Sequence, residues 1–136
     1  MAKFILSQRS LMRLEGVHPR LVDIVKLAIE RTAVDFMVVE GLRTPERQRE
    51  LVAQGKSQTL NGLHLRQADG WGRAVDLAPL VDGAIPWKGW AAFKGLADVM
   101  KECAAELDVP LEWGGDWKTL KDGPHFQLPR GWKAPA

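Results

Sequence analysis

From Trp90 onward, Phe93, Leu96, Ala97, Met100, Ala104 and Leu107 recur at helical spacing, and no proline interrupts the run before Pro110. A helix of that length with one apolar stripe must bury the stripe against other elements. Pro110 is read as its end, because proline cannot continue a helix. Trp90 and Cys103 are read as core residues of this helix, Cys103 as a small buried side chain rather than a nucleophile.

The rest of the chain supplies the partners. Ser7 to Glu15 reads as a short helix with Leu11 and Leu14 inward. Pro19 suits a first helical turn, and Leu21, Ile24, Val25, Ala28 and Ile29 extend an amphipathic helix over residues 19–32. Residues 35–40, rich in β formers and stopped by Gly41, read as a strand. Thr44 as N-cap, Pro45 and Glu46 start another helix that runs to Gln54 and stops at Gly55. Residues 56–72 read as a loop, Ala74–Leu80 as a second strand, and Leu111–Trp113 and His125–Leu128 as two short ones. This order argues for an α+β fold, a small antiparallel sheet packed against helices.

At 136 residues the chain is expected to be a single domain over residues 1–136. A formal charge of +2 is too weak to argue for nucleic acid. Cys103 is the lone cysteine, which excludes an internal disulfide. The N-terminal apolar run, Phe4-Ile5-Leu6, is far shorter than a signal-peptide core, and no window approaches a membrane span. Synthesis in a cytoplasm, with no stable membrane insertion, is the expectation.

The chemistry concentrates in a few segments. Catalytic zinc sites use three protein ligands and leave one position for water, and His64, Asp76 and His125 fit that count. His64 and Asp76 stand twelve apart, so a loop must carry His64 back to the strand that bears Asp76. Glycines at 62, 70 and 72 make such a loop feasible. Asp122 is the candidate general base and acid. Residues three apart in a strand face opposite sides, and the Gly123-Pro124 turn removes that objection to pairing Asp122 with His125. Asp116 and Glu112 are the competing carboxylates, unless they cap a turn or form surface pairs. Arg43 stands where it would clamp a substrate carboxylate or steady an oxyanion; the alternative is neutralisation of Glu40 or Glu46.

The ordered series Glu40-Gly41-Leu42-Arg43-Thr44, Glu46-Arg47-Gln48, His64, Gly72-Arg73-Ala74-Val75-Asp76-Leu77, Trp113-Gly114-Gly115-Asp116-Trp117 and Asp122-Gly123-Pro124-His125-Phe126 resembles the zinc peptidases of the D-alanyl-D-alanine carboxypeptidase family (peptidase family M15). Within that family it is most similar to the phage endolysins that cleave the L-alanyl-D-glutamate bond of peptidoglycan. The resemblance covers roughly residues 5–130. It implies the family's zinc-peptidase fold, one zinc ion on His64, Asp76 and His125, Asp122 as the catalytic carboxylate and Arg43 on the substrate. It further implies a lone catalytic domain without a separate wall-binding module, acting on the stem peptide to lyse the host wall; a monomer is the simplest expectation. An enzyme of this kind, made in the host cytoplasm, would rely on a separate membrane-permeabilising protein (a holin) to reach the wall in the periplasm.

The family pattern places the first histidine seven residues before the aspartate. Here about five residues, Gln67–Trp71, are extra, and Gly62 replaces the usual serine. The extra residues are read as a loop bulge or a substrate-contacting flap. Two rivals follow: a D,D-carboxypeptidase of the same fold, or a non-catalytic wall-binding module if the longer gap has dissolved the metal site. Trp113 and Trp117 flank the proposed site and are candidate walls of a substrate groove. Trp71 and Trp132 read as exposed, for substrate contact or edge packing alike. His18 is read as a surface histidine with a structural or solvent role, and Asp69 as a turn residue.

Overall fold

Residues Phe36–Glu40 (β1), Ala74–Pro79 (β2), Glu112–Trp113 (β3) and His125–Gln127 (β4) form one antiparallel sheet in the order β1-β2-β4-β3. The architecture is that of a computed structural model, which describes residues 3–56 and 62–135. Alternation along the strands separates two faces. Val75, Leu77 and Phe126 enter the hydrophobic core, whereas Asp76 points the other way, directly across from His125. Gln127 shares that second face with His125, opposite Ala74 and Glu112.

The apolar face is covered by helices Pro19–Arg31 (α2) and Trp90–Glu106 (α4), which pack on each other, with α4 also on β2. From α2 come Leu21, Ile24, Val25, Ala28 and Ile29, and from α4 Leu96, Ala97, Met100, Cys103 and Ala104. Cys103 is accordingly a core residue, and no helix among the described residues is long and apolar enough to cross a membrane. Helix Gln8–Arg13 (α1) closes the outer edge of β1: Ser10 Oγ accepts from the Val38 amide at 3.0 Å and Arg13 donates to the Val38 carbonyl at 3.0 Å. That edge is thereby withdrawn from further strand pairing.

A bulge in β1 matters for function. Val38 pairs with Leu77 and Glu40 with Asp76, so two residues of β1 pass one of β2. Val38 faces the core; the extra residue turns Glu40 onto the polar face beside Asp76. Gly41 follows, where a Cβ would stand 1.8 Å from the Arg13 carbonyl oxygen. Only glycine lets β1 pass α1 this closely.

Several expectations need correction. Helix α4 ends before Pro110: Asp108 takes a left-handed conformation (φ 57°), and the Val109 and Asp108 amides donate to the Ala104 and Ala105 carbonyls. That is a Schellman closure, three residues earlier than a proline stop would have been. Trp90 is not core; it lies 46% exposed at the start of α4, its ring against Trp113. Leu11 and Leu107 are only partly buried, each 37% exposed, near helix termini where one flank faces solvent. Helix Pro45–Ala53 (α3) begins as expected, with Thr44 Oγ1 accepting from the Arg47 amide. Of the loop expected over 56–72, residues 57–61 lie outside the described residues.

Candidate metal centre

Among the described residues, His64, Asp76 and His125 form the group able to hold a metal ion, each offering one ligand atom within 4.8 Å of the others. His64 Nε2 lies 3.2 Å and His125 Nδ1 3.4 Å from the same oxygen, Asp76 Oδ1. The two imidazoles meet edge to face, with centroids 5.1 Å apart.

The outer nitrogens of both rings decide what the inner ones carry. His64 Nδ1 lies 3.0 Å from the Gly41 carbonyl, which can only accept, so Nδ1 holds the proton and Nε2 turns a lone pair inward. His125 Nε2 lies 2.7 Å from Gln127 Oε1, and the Gln127 amide is oriented by donating to Glu112 at 3.3 Å. His125 therefore donates through Nε2 and presents Nδ1 to Asp76. Two imidazole lone pairs and a carboxylate oxygen directed at one point repel one another unless a cation lies among them. The donor set fits a divalent metal, with outer contacts of the kind that orient metal-binding histidines.

The electrostatics agree. Burial raises the Asp76 carboxyl pKa, yet the favourable interaction with the neighbouring His125 and His64 imidazoles outweighs it and holds the group far below the usual carboxylate range. Burial lowers His125, but the Asp76 hydrogen bond and charge reverse this, with support from Gln127, so it is raised above its ordinary value. A proton on that ring occupies the place of a metal ion.

The expected obstacle, the twelve-residue gap between His64 and Asp76, is a closed excursion. Gln67 and Trp71 bond across its neck at 2.9 Å, Arg66 bridges Gly72, and the Arg73 amide returns to the Leu63 carbonyl at 2.7 Å. His64, outside the neck, is pinned separately by the Arg43 amide on its carbonyl at 2.8 Å. The extra residues bulge out without displacing the imidazole. Asp69 makes the expected turn, its Oδ1 accepting from the Trp71 amide, and its other oxygen pairs with Arg73. His18, expected at the surface, is 8% exposed and caps α2 through Nδ1.

Asp122 enters through a tight turn in which the His125 amide donates to the Asp122 carbonyl at 3.2 Å. The reversal brings both side chains to one cleft of about 480 Å³, shared with Arg43, Trp117 and the other two candidate metal ligands, His64 and Asp76. A Cβ on Gly114 would come within 2.4 Å of the Asp122 carbonyl oxygen, so this turn needs a glycine beneath it. Burial and then the Asp76 charge raise the Asp122 carboxyl above its ordinary value, against the pull of His125, His64 and Arg43. The rival carboxylates are committed elsewhere: Asp116 pairs with Lys101 and Glu112 accepts from Gln127.

Arg43 lines the cleft with three of its five N–H groups engaged, two on Glu40 at 2.7 Å and one on Gln48 at 2.8 Å. The alternative of pairing with Glu40 is thus realised, and with Glu46 it is not. Trp117 lies against His125, with centroids 5.1 Å apart. Trp113 is not a groove wall. It is 3% exposed, and its Nε1–H donates to the Gly123 carbonyl at 2.7 Å, which braces the turn carrying Asp122. Sequence reasoning missed Gln127 and the Gly41 carbonyl. Gln127 was findable, since it stands two residues from His125 in a strand and must share its face; a backbone acceptor leaves no such signal.

A His-Asp-His cluster formed by two strands of a small antiparallel sheet and an adjoining loop, in a cleft with the further carboxylate of Asp122, defines a metallohydrolase type of centre. The chain matches the phage L-alanyl-D-glutamate peptidase family over residues 2–128, and it belongs to that family. It is 29% identical over 128 residues to the L-alanyl-D-glutamate peptidase of Escherichia phage T5, covering 94% of this chain and 91% of that one. It is 30% identical over 113 residues to the peptidoglycan L-alanyl-D-glutamate endopeptidase CwlK of Bacillus subtilis, covering 78% and 68%. The crystal structure of the Serratia marcescens L-Ala D-Glu endopeptidase ChiX superposes with a TM-score of 0.82 at 44% identity, over 93% of this chain and 92% of that one.

Proposed function

We propose that this protein is a zinc peptidase that hydrolyses the L-alanyl-D-glutamate bond of the peptidoglycan stem peptide. The observation that carries the reading is the convergence of His64 Nε2, His125 Nδ1 and Asp76 Oδ1 within 4.8 Å of one another, in a member of this family. When bound there, zinc supplies Lewis acidity, which acidifies a water and polarises the scissile carbonyl.

The protein's own groups do the rest. Asp122 accepts the proton as the water oxygen bonds to the L-alanyl carbonyl carbon. It returns that proton to the D-glutamate nitrogen as the C–N bond breaks. A carboxyl raised by burial is suited to holding a proton between the two steps. Arg43, fixed by Glu40, turns its positive charge toward the cleft, where it favours the developing oxyanion or a substrate carboxylate. Trp117 walls the cleft beside His125. The protein acts as a monomer, and reaches the wall through a membrane opened by a separate protein.

The test is digestion of purified peptidoglycan with zinc supplied, with mass analysis of the fragments. New D-glutamate amino termini are expected. Release of single alanines instead would make the enzyme a carboxypeptidase, and no release at all would refute the reading. Asp122→Ala should bind zinc and lose turnover; undiminished turnover removes Asp122 from the chemistry.

A further inference from the structure

A second cavity, of about 420 Å³, opens next to the metal-bearing cleft. Its walls are the Gln67–Trp71 excursion on one side and the C-terminal segment from Arg130 to Ala134 on the other. Leu63 and Arg130 line both this cavity and the cleft, so the two are immediate neighbours with a shared wall. Arg73 ties the walls together from below. Its guanidinium donates to Asp69 of the excursion at 2.9 and 3.1 Å and to the Trp132 carbonyl of the C-terminal segment. That arginine is 8% exposed, so the cavity is braced by a buried cation and is not merely a gap between two loops.

The lining is aromatic and cationic. Trp71 is 38% exposed, and Trp132 is half-buried with its ring tilted against His18, centroids 6.1 Å apart. Arg130 and Lys133 stand at the rim. Broad aromatic faces with polar groups around them match a sugar ring, which offers an apolar C–H face and a hydroxyl perimeter.

Resting on the proposed reading of the cleft, we infer that this cavity binds the N-acetylated sugar to which the stem peptide is attached. The geometry of the substrate supports that occupant. Only L-alanine separates the scissile carbonyl from the lactyl group on the sugar, and one extended residue spans about 3.3–3.6 Å. The sugar must therefore lie immediately beside the cleft, and the cavity that shares Leu63 and Arg130 with it is there to receive it. The excursion thereby becomes a wall of the substrate site.

The test compares two soluble substrates, the free stem peptide and the same peptide carried on N-acetylmuramic acid. The intact protein should show a kcat/KM higher for the muramyl peptide on the order of tenfold. Trp71→Ala, an exposed change away from the metal, should abolish that preference while leaving the free peptide's turnover unchanged. Equal kcat/KM on the two substrates, or a preference that survives Trp71→Ala, would overturn the inference. Binding of the glucosaminyl–muramic acid disaccharide, followed by NMR, gives a readout independent of catalysis. Shifts of the Trp71 and Trp132 indole N–H signals are expected; shifts confined to Trp117 would overturn the proposal. Should neither peptide be cleaved, the peptidase reading fails, and the disaccharide titration still decides the cavity.

Discussion

The side-chain hydrogen bonds of Gln127 go to His125 and Glu112 and not to Asp76 or His64, yet replacing it should weaken metal binding severely. Its Oε1 holds His125 Nε2–H at 2.7 Å, and that bond keeps the lone pair of Nδ1 directed at Asp76. Gln127→Leu keeps much of the volume and removes the acceptor. The imidazole then gains by moving its proton to Nδ1, where the Asp76 carboxylate accepts it, and the metal must displace that proton. Loss of such an outer contact costs about 10–100-fold in metal affinity, or about 1.4–2.7 kcal/mol. His125 is only 8% exposed, so water cannot readily replace the amide, which favours the upper half of that range. The backbone pairing of Gln127 with Ala74 and Glu112 is unchanged, so the fall in unfolding stability should be confined to the unpaired His125 nitrogen, about 1–3 kcal/mol. Competition of metal-free protein against a chromogenic zinc chelator reads the affinity. The exchange Gln127→Glu with Glu112→Gln restores an acceptor at Nε2 and should recover most of it. Zinc affinity of Gln127→Leu within about twofold of wild type would refute the reasoning, because the lost contact predicts far more.

Three other outcomes follow from the fold. Gly41→Ala would place a methyl 1.8 Å from the Arg13 carbonyl oxygen, so it should cost about 1–3 kcal/mol in urea unfolding and weaken zinc binding by displacing the acceptor of His64; an unchanged midpoint contradicts this. Met100→Ala, at a fully buried position of α4, should cost about 2–5 kcal/mol while the folded fraction still takes up one zinc per chain. Burial raises Asp69, but bonds from Arg73 and the Trp71 amide prevail and leave it lowered. Its contribution is thus present above the unfolded value of 3.8 and lost as pH falls from there through the lower folded value. The advantage of wild type over Asp69→Asn in denaturant should be at most about 1 kcal/mol, given a carboxylate one-third exposed, and should vanish in strong acid. An advantage that persists in acid would show that charge is not its source.

The elements were legible where one residue period dominates. The stripe from Phe93 to Ala104 and the run from Leu21 to Ile29 both became buried faces of helices, because helical spacing is local and needs no knowledge of the partner. Ends were less legible. Asp108 stopped α4 by a left-handed turn that a proline rule overlooks, and Trp90 is exposed where core was expected while Trp113 is buried where a groove wall was expected. Nothing in their spacing says that one indole lies over the other.

The sequence by itself determined the α+β class, the inventory of two histidines and two aspartates, and the family, because these depend on residue identity, order and local period. Tertiary structure alone decided that the long gap before Asp76 leaves His64 in place, that a bulge turns Glu40 to the site, and that Gln127 and the Gly41 carbonyl set the two imidazoles. Those outcomes depend on strand register and on backbone atoms meeting across the sheet, which residue order does not encode locally.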